Sequence, residues 1–380
     1  TAIGAKWGVP VQGAWVMAWK DRIDKAFMDR FQVLGPEGPS QAFLEGMPPM
    51  PEERMVCGGC AAKVGQTELS AALAALPPVP DDPSVVMGLA QADDAVAFRH
   101  GEHTLVQNVD AFPAFVDDPW TLGVVAAHNA NSDLYAKGVA PRWALASVQI
   151  PEDAPEQATL FQVMAGLRAV YDAEGITLLG GHTTVGEKLV VGATVTGVAE
   201  GPLWSNGAAR PGDTVLLTRA LGTGVLFHAD MVGRARGRAV QTALEGMRQG
   251  NRAAALALRD VPVHAVTDVT GFGLAGHAAE VARASGVTLV LELGSLPALP
   301  TVLELLEAGE RSTFHEANRE LLKALRAEQS GPRLELCFDP QTAGGLLITT
   351  PDPAAVEAVL PACWRIGAVV HEEETPVVMR

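Results

Sequence analysis

Apolar and polar positions along most of the chain form short runs rich in Val, Ile and Leu, separated by longer segments with helical spacing. Several short runs end at Gly, Pro or Asp, which is typical of strands. The mixed order of the two patterns predicts an α+β fold. The predicted strands are SVVMGLAQ, TLVQNVD, WALASVQI, LVVGATVTGV, TVLLTRAL, VHAVTDV, VTLVLEL, GLLITT and RIGAVV. The predicted helices are ELSAALAAL, a segment between VHAVTDV and VTLVLEL, and residues 120–137, 155–174, 235–259, 301–308 and 315–327.

The N-terminal segment, residues 1–36, differs from the rest of the chain. Its stretch WVMAWKDRIDKAFMDRF places Trp, Ile and Phe at helical spacing, so one face of the predicted helix needs a partner surface. That surface is the helix's own domain, a neighbouring domain or a membrane surface. Pro and Gly without periodicity then predict a linker over residues 37–56. A further division near residue 205 predicts domains at 57–205 and 206–380.

Composition and charge exclude several classes of function. The net charge of −16 over 380 residues argues against a nucleic-acid partner, because phosphate backbones attract basic surfaces. A nucleotide ligand stays possible, since carboxylates hold Mg²⁺ and Mg²⁺ holds phosphates. The apolar runs have the length of strands and are too short to span a bilayer. Four cysteines do not make a disulfide framework, which favours a reducing, cytoplasmic location.

Acidic residues recur where apolar runs end. Asp93 and Asp94 follow MGLAQA, Asp110 ends TLVQNV and Asp268 ends VHAVT. Asp133 lies four residues after Asn129 on a predicted helix, so the two side chains share a face. Any one of these aspartates is explained as a turn or N-cap residue. Together they indicate a cluster of oxygen ligands of the kind that Mg²⁺ and phosphates use.

Glycine clusters accompany these aspartates in LLGGHTT, DVTGFGLAGH and DPQTAGGLL. Glycine lets backbone N–H groups approach a phosphate, and Gly271 and Gly273 precede a predicted helix, whose N-terminus favours an anion. Turn formation explains each cluster equally well. The pattern G-x-x-x-x-G-K-[ST] is absent from the sequence, so the chain is not a P-loop protein.

The stretch CGGCAAKVG contains two cysteines, Cys57 and Cys60, followed by Lys63. A structural zinc site needs two further ligands, and no second C-x-x-C or paired His supplies them. A redox dithiol normally follows a strand, whereas this segment follows the Pro-rich linker. A single reactive thiol is the third interpretation, because a nearby cation lowers a thiol pKa and attracts an anionic substrate.

Six sequence blocks in order resemble the selenophosphate synthetase (selenide, water dikinase) family. They are C-x-x-K after a Gly-rich lead-in, ADDAV, HNANSD, GGHT, TDVTGFGLAGH and DPQTAGGLL, and the resemblance runs from about Val56 to the C-terminus. It implies the fold of aminoimidazole ribonucleotide synthetase, with an N-terminal half that contributes strands to a homodimer barrel and a C-terminal α/β half. The implied reaction converts ATP, selenide and water into selenophosphate, AMP and phosphate.

The resemblance also implies roles for individual residues. Cys60 matches the catalytic cysteine and Lys63 the essential lysine, which also contacts ATP. Many relatives have a second cysteine directly before that lysine, where this chain has Ala62. Asn129 is expected to support the phosphate site. Asp94, Asp133 and Asp268 match ligands of several Mg²⁺ ions. The other ATP contacts match Gln91, Ala92, Asp93, Asp110, Asp133, Gly181, His182 and Thr183.

Residues 1–36 resemble the C-terminal tail of an NADH-dehydrogenase-like flavoprotein, mainly through GAWVMAWKDRIDKAFM. The chain is then expected to be the synthetase part of a fusion, without the fold that binds flavin or pyridine nucleotide. Two other functions remain open at this stage. One is a small-molecule kinase of the same superfamily, which shares the carboxylates but lacks the Cys-Lys segment. The other is a non-catalytic selenium or metal carrier that uses Cys57 and Cys60.

Overall fold

The computed structural model describes residues 3–6, 9–12, 57–76, 81–89, 93–152 and 154–380. The chain divides into two compact units, Thr1–Met55 and Val56–Arg380. In the first unit, β1 (Ile3–Lys6) and β2 (Val9–Gln12) form an antiparallel pair. The helix and linker predicted between residues 15 and 56 lie outside the described residues, as do Gln91 and Ala92.

A six-stranded sheet forms the first half of the second unit. Its strand order is β3-β4-β5-β8-β6-β7, and only the β6–β7 pair among its neighbours is parallel. Alternating apolar residues on these strands bury one face of the sheet against two helices. The strands are β3 (Val85–Met87), β4 (Val96–His100), β5 (His103–Pro113), β6 (Pro141–Pro151), β7 (Thr177–Gly186) and β8 (Val190–Val198).

Helix α2 lies at the centre of the second unit and positions most of the polar residues discussed below. A short helix, α1 (Gln66–Ala74), precedes it in the chain. Helix α2 (Pro119–Ala136) begins after Asp118, whose carboxylate accepts hydrogen bonds from the first free N–H groups of the helix. It packs closely on α3 (Glu156–Glu174), since a Cβ at Gly166 would lie 2.2 Å from the carbonyl oxygen of Trp120. Nearly every residue of α2 is buried, so this helix is held rigidly.

A seven-stranded sheet forms the second half, with strand order β10-β13-β9-β14-β11-β15-β12. Three of its strands, Val266–Asp268, Val287–Leu291 and Leu346–Thr350, are buried at every position. The strands are β9 (Thr214–Leu217), β10 (Val266–Asp268), β11 (Val287–Leu291), β12 (Arg326–Ala327), β13 (Leu346–Thr350), β14 (Trp364–His371) and β15 (Val377–Met379).

The helices of the second half surround this sheet. None of the helices in the described part of the chain combines the length and the apolar character that a membrane crossing requires. The helices are α4 (Thr223–Met231), α5 (Gly237–Met247), α6 (Arg252–Ala257), α7 (Gly273–Ser285), α8 (Val302–Glu307), α9 (His315–Arg319), α10 (Pro332–Leu336) and α11 (Pro353–Val359).

Two predictions of secondary structure are wrong, and one strand that contains a glycine cluster was not predicted. The single helix predicted over 235–259 is broken between α5 and α6, because Gly250 adopts a φ of +62°. The helix predicted over 315–327 ends at Arg319 and is followed by a 3₁₀ turn and β12. LLGGHTT, interpreted only as a glycine cluster, lies within strand β7. The α+β architecture itself is confirmed, with one sheet in each half of the second unit.

Candidate functional site

The structure brings together Asp94, Asp110, Asp133 and Asp268, although up to 174 residues separate them in the chain. Asp94 lies two residues before β4, Asp133 lies on α2, and Asp268 is the last residue of β10. Asp110 lies inside β5 and not at its end, since that strand continues to Pro113. Because α2 packs between β5 and β10, the four carboxylates face the same region.

Two of the carboxylates are held by asparagine side chains. Asn129 on α2 donates a hydrogen bond to Asp110 Oδ2 over 2.6 Å, and Asn108 on β5 donates one to Asp133 Oδ2. The bonds run in opposite directions between the helix and the strand, so each element orients a carboxylate of the other. Asn129 Oδ1 also accepts a hydrogen bond of 2.8 Å from the backbone N–H of Ala343, which ties the DPQTAGGLL loop to α2.

The other two carboxylates are held by hydroxyl groups. Ser132 Oγ donates to Asp268 Oδ2 over 2.5 Å, and Thr267 Oγ1 donates to Asp94 Oδ1 over 2.8 Å. Asn251 supports the first of these bonds by donating to Ser132 Oγ over 2.9 Å. Neutral donors thus orient all four carboxylates by hydrogen bonds, and the charge of Asp94 is in addition offset by an ion pair with Lys137.

The pKa shifts of the carboxylates result first from burial and then from repulsion between them. Burial raises the pKa of Asp133 well above its usual value, and the charges of Asp268, Asp110 and Asp94 raise it further. Burial, and then the charge of Asp94, raises the pKa of Asp268 to about 6. Burial also raises the pKa of Asp110, although the ammonium group of Lys63 opposes this shift. A cation brought into this cluster would therefore be bound favourably.

Lys137 is a charged residue of the site that the sequence did not reveal. It directly follows α2, is fully buried, and forms ion pairs with Asp93 and with Asp94 Oδ2, the latter at 2.9 Å. It also donates to Asn206 Oδ1 at 2.7 Å and to the carbonyl oxygen of Val266 at 3.1 Å. Burial lowers the pKa of Lys137, but the two carboxylates outweigh that effect and raise it. Lys137 therefore fixes the loop that carries the predicted ATP and metal residues Asp93 and Asp94.

The Cys-Lys segment packs against the same site through its glycines. A Cβ at Gly58 would lie 1.9 Å from the carbonyl oxygen of Ala114, just after β5, and a Cβ at Gly59 would lie 2.5 Å from Thr342 Oγ1. Lys63 lies with its Nζ 5.6 Å from the ring centroid of Phe272, a favourable cation–π distance. The side chain of Cys60 lies outside the described part of the structure.

One predicted contact lies apart from the carboxylates. Asp110 pairs with Ala193, Ala193 with Ala146, and Ala146 with Gly181, so Asp110 and Gly181 occupy one row of the sheet. Three strand spacings separate them, about 14 Å. Gly181, His182 and Thr183 are exposed on β7, an edge strand of the sheet. Within one chain they do not reach the carboxylate cluster.

The donor set fits a hard divalent cation, although the carboxylates have not converged to ligand distances. Within the described residues, no three His, Cys, Asp or Glu side chains form a ready-made metal site. Carboxylate and amide oxygens surround the region, and the buried Asn108 Oδ1 has no hydrogen-bond partner. Mg²⁺ typically takes only one or two carboxylates and completes its shell with phosphates and water. A pocket of about 400 Å³ beside Asp94 and Asn108 leaves room for such ligands.

Sequence reasoning missed several residues that hold the site together, among them Arg219. Arg219 donates to the carbonyl oxygen of Ala343 over 2.8 Å, and burial lowers its pKa to about 10. The only available signal was adjacency, since Asn108, Ser132 and Thr267 each stand within two residues of a predicted aspartate. The other missed residues are Lys137, Asn206 and Asn251.

Comparisons with known proteins identify relatives of this chain. Residues 92–199 match the AIR synthase related protein N-terminal domain, and residues 210–379 match the corresponding C-terminal domain. A selenide, water dikinase from Desulfitobacterium hafniense (strain Y51) is 37% identical over 85% of this chain and 97% of its own length. One from Geobacter metallireducens is 42% identical over 77% of this chain and 86% of its own length.

The fold is also found among solved structures. ThiL in complex with AMPPCP and TMP superposes with a TM-score of 0.61 over 83% of this chain and 93% of that chain, at 20% identity. At that identity the likeness concerns the fold alone, and it confirms the expected two-domain architecture.

Proposed function

Because the chain belongs to the selenide, water dikinase family, we propose that it uses ATP to convert selenide and water into selenophosphate, AMP and phosphate. The observation that supports this most strongly is the meeting of the Asp94, Asp110, Asp133 and Asp268 carboxylates with the segment that carries Lys63. A phosphoryl-transfer site needs negative ligands for a metal and a positive group near the transferred phosphate. Both are present in one place.

The carboxylates take the metal-binding part of this proposal. Asp94, Asp133 and Asp268 would hold Mg²⁺, with Asp110 and Asn129 orienting the same region. Bound there, Mg²⁺ would neutralise negative charge on the phosphates of ATP. Burial and, after it, mutual repulsion raise the pKa values of Asp133 and Asp268, and a bound cation would relieve the repulsion. Without a cation, a triphosphate would meet only like charge.

Lys63 and Cys60 take the selenide-handling part. Selenide is largely HSe⁻ at neutral pH and is already a strong nucleophile, so it needs placement more than activation. The ammonium group of Lys63 lies close enough to Asp110 to oppose the rise in pKa that burial causes. In this proposal it therefore acts across the same space that a γ-phosphate would occupy. Lys63 then offsets the repulsion between HSe⁻ and the phosphate, while Cys60 holds or guides selenium. Closure of the Gly58–Gly59 segment over the site excludes water during selenide attack.

A homodimer completes the ATP site in this proposal. The open face of the six-stranded sheet carries exposed Val96, Val109, Trp143 and Leu145, of which Val109 and Leu145 both pair with Thr194. An apolar sheet face of this kind is a typical interface. Pairing of two such faces would bring Gly181–Thr183 of the partner subunit towards the ATP whose phosphates lie on the carboxylates. This accounts for the distance of about 14 Å within one chain.

We extend the proposal to the domain organisation of the chain and to its location. Residues 1–36 are the tail of an NADH-dehydrogenase-like flavoprotein domain, and domains 57–205 and 206–380 form the synthetase. The site of action is the cytoplasm, because the cysteines whose side chains the structure describes, Cys57, Cys337 and Cys363, are free thiols.

A ³¹P NMR assay with ATP, Mg²⁺ and selenide tests the function directly. The expected result is a selenophosphate signal that grows together with AMP, and its loss in Asp133→Asn and Lys63→Ala. Asp172→Asn serves as a matched control, because that carboxylate is exposed and pairs with Arg168 one helical turn away. Formation of ADP without selenophosphate would indicate a small-molecule kinase instead. Absence of ATP turnover would favour a carrier.

A further inference from the structure

Cys57, which has no role in the proposed reaction, lies in a site built for a thiolate. Its Sγ is 3.4 Å from Nδ1 of His228 on α4, and the backbone N–H of Thr313 donates to the same sulfur over 3.4 Å. The backbone N–H of Cys57 in turn donates to Thr313 Oγ1 over 3.0 Å. Two donors from two separate parts of the C-terminal half therefore converge on one sulfur atom.

A carboxylate supports the imidazole from its other side. Glu310 Oε2 lies 3.8 Å from Nε2 of His228, and Arg234 forms an ion pair with the same glutamate. Cys57, His228 and Glu310 thus form the thiol–imidazole–carboxylate series that activates cysteine nucleophiles in general. The protonated imidazole is stabilised by the thiolate on one side and by the carboxylate on the other.

The pKa of Cys57 is shifted in the opposite direction from those of Cys337 and Cys363. Burial raises the pKa of the Cys57 thiol, but the hydrogen bonds from His228 and Thr313 outweigh it and leave the pKa below its usual value. The hydrogen bond with Cys57 raises the pKa of His228. Burial instead raises the pKa of Cys337 to about 12 and also raises that of Cys363. Among these three thiols, only Cys57 is favoured as a thiolate.

We propose that Cys57 is a second reactive thiol, which undergoes exchange with small-molecule disulfides and then forms a reversible disulfide with Cys60. The C-x-x-C spacing places the two residues in one short segment, and Gly59 between them, at φ +65°, gives the backbone a bend that other residues rarely adopt. The His228 and Thr313 contacts activate the sulfur that attacks first. Cys60 is the resolving thiol.

The exchange balances in two steps. The Cys57 thiolate attacks one sulfur of R–S–S–R, a Cys57–S–S–R bond forms, and R–S⁻ leaves with the proton that His228 carries. Cys60 loses its proton to water and attacks Sγ of Cys57, so that the Cys57–Cys60 bond forms and a second R–S⁻ leaves and is protonated by water. Together the two cysteines lose two electrons and two protons, and R–S–S–R is reduced to two R–SH.

The consequence for activity rests on the proposed function. A Cys57–Cys60 disulfide removes the thiol that holds selenium and displaces the segment that carries Lys63. The enzyme would then stop when disulfides accumulate and resume when thiols return. Cys57 is only 4% exposed, so the first attack requires the segment to open, and bound ATP with Mg²⁺ should slow the exchange by keeping it closed.

Peptide mapping after treatment with oxidised glutathione tests the exchange without an activity assay. Trypsin releases Met55–Lys63, which contains both cysteines and no other. In the full chain we expect this peptide to lose two hydrogens and to resist alkylation, and dithiothreitol to reverse the change. In Cys60→Ser, glutathione should accumulate on Cys57. A wild-type peptide that stays fully alkylated across glutathione buffers would overturn the proposal.

Rates distinguish an activated thiol from a merely structural one. In the Cys60→Ser background, His228→Gln should slow glutathionylation of Cys57 about three- to tenfold at pH 7 and move the half-maximal rate to higher pH. Cys363→Ser is the matched control and should change neither property. An unchanged rate in His228→Gln, in a variant with a wild-type melting temperature, would contradict activation by His228.

The two proposals fail separately. Selenophosphate formation in dithiothreitol tests the proposed function and does not depend on Cys57 exchange. If that activity is absent while the Cys57–Cys60 disulfide forms, the exchange at Cys57 stands and only its proposed effect on activity is refuted. If it is present, Cys57→Ser should keep it and should form no intramolecular disulfide. A Cys57→Ser variant that reacts at Cys60 as fast as wild type would refute the order of the two steps.

Discussion

Replacing Asp268 by Asn should stabilise the free protein while removing its activity. The side chain is 1% exposed and lies near the other site carboxylates. An asparagine keeps the shape, and its Oδ1 still accepts the hydrogen bond from Ser132. The variant lacks the negative charge that Asp94 and Asp110 repel. With the metal-binding role that we propose for Asp268, this residue carries a stability cost that the substitution removes.

The magnitude follows from the raised pKa. Burial and the charge of Asp94 move the pKa of Asp268 from 3.8 to about 6. At about 1.4 kcal/mol per pKa unit, ionised Asp268 destabilises the folded state by about 3 kcal/mol. Since the folded pKa is above the unfolded one, the unfolded chain loses this proton first as pH rises. The free energy of unfolding then falls between about pH 4 and pH 6, and the full penalty applies above that range.

Urea unfolding in EDTA at pH 4 and at pH 7.5 measures this effect, because EDTA removes cations that would mask the repulsion. Asp268→Asn should match wild type at pH 4 and exceed it by about 3 kcal/mol at pH 7.5. Asp213→Asn is the matched control: that buried carboxylate lies 2.8 Å from His264 Nδ1, so its removal should not stabilise. Equal stability of Asp268→Asn and wild type at pH 7.5 would refute the argument.

Three further predictions concern the parts that surround the carboxylates. Lys137→Met should lower the free energy of unfolding by about 3–5 kcal/mol in urea titrations, because it leaves the Asp93 and Asp94 carboxylates buried without their cation. A loss below about 1 kcal/mol would contradict the buried ion pair. Gly58→Ala should reduce selenophosphate formation at least about tenfold with little change in melting temperature, since its Cβ would meet Ala114, whereas Gly201→Ala, with open space around it, should not. Leu145→Arg should convert a dimer into a monomer in analytical ultracentrifugation and raise the KM for ATP, and an unchanged mass would exclude the open sheet face as the interface.

The sequence predicts elements well where a local pattern decides the structure. The helices over 120–137 and 155–174 correspond to Pro119–Ala136 and Glu156–Glu174, because Asp118 caps the first and Gly175 ends the second in the left-handed conformation. The break at Gly250 depends on distant residues instead. Its carbonyl oxygen accepts a hydrogen bond from Arg219, and a Cβ at this position would meet the ring of His128.

The carboxylates of the site could be predicted from the sequence, but the residues that hold them in place could not. Asp94, Asp110 and Asp268 stood out because they follow apolar runs, and Asp133 because it shares a helix face with Asn129. The structure brings the four carboxylates into electrostatic contact. A lysine that follows a helix, such as Lys137, is ordinarily an exposed C-terminal residue. Its burial arises only when β10 and the 3₁₀ turn at Asn206–Ala208 pack across the end of α2, and no local pattern encodes that contact.

The arrangement of donors around the aspartates explains how one site can be both stable and receptive to a metal. If lysines or arginines paired every carboxylate, the cluster would be neutral and a cation would gain little. Asn129, Asn108, Ser132 and Thr267 instead orient the carboxylates through uncharged groups, and the full-strength ion pairs of Lys137 lie at one edge, on Asp93 and Asp94. The positions of the carboxylates are therefore fixed before a metal binds, while much of their negative charge remains uncompensated. In the proposed reaction, the cations that accompany ATP would relieve that charge, and Lys63 would be the positive group near the transferred phosphate.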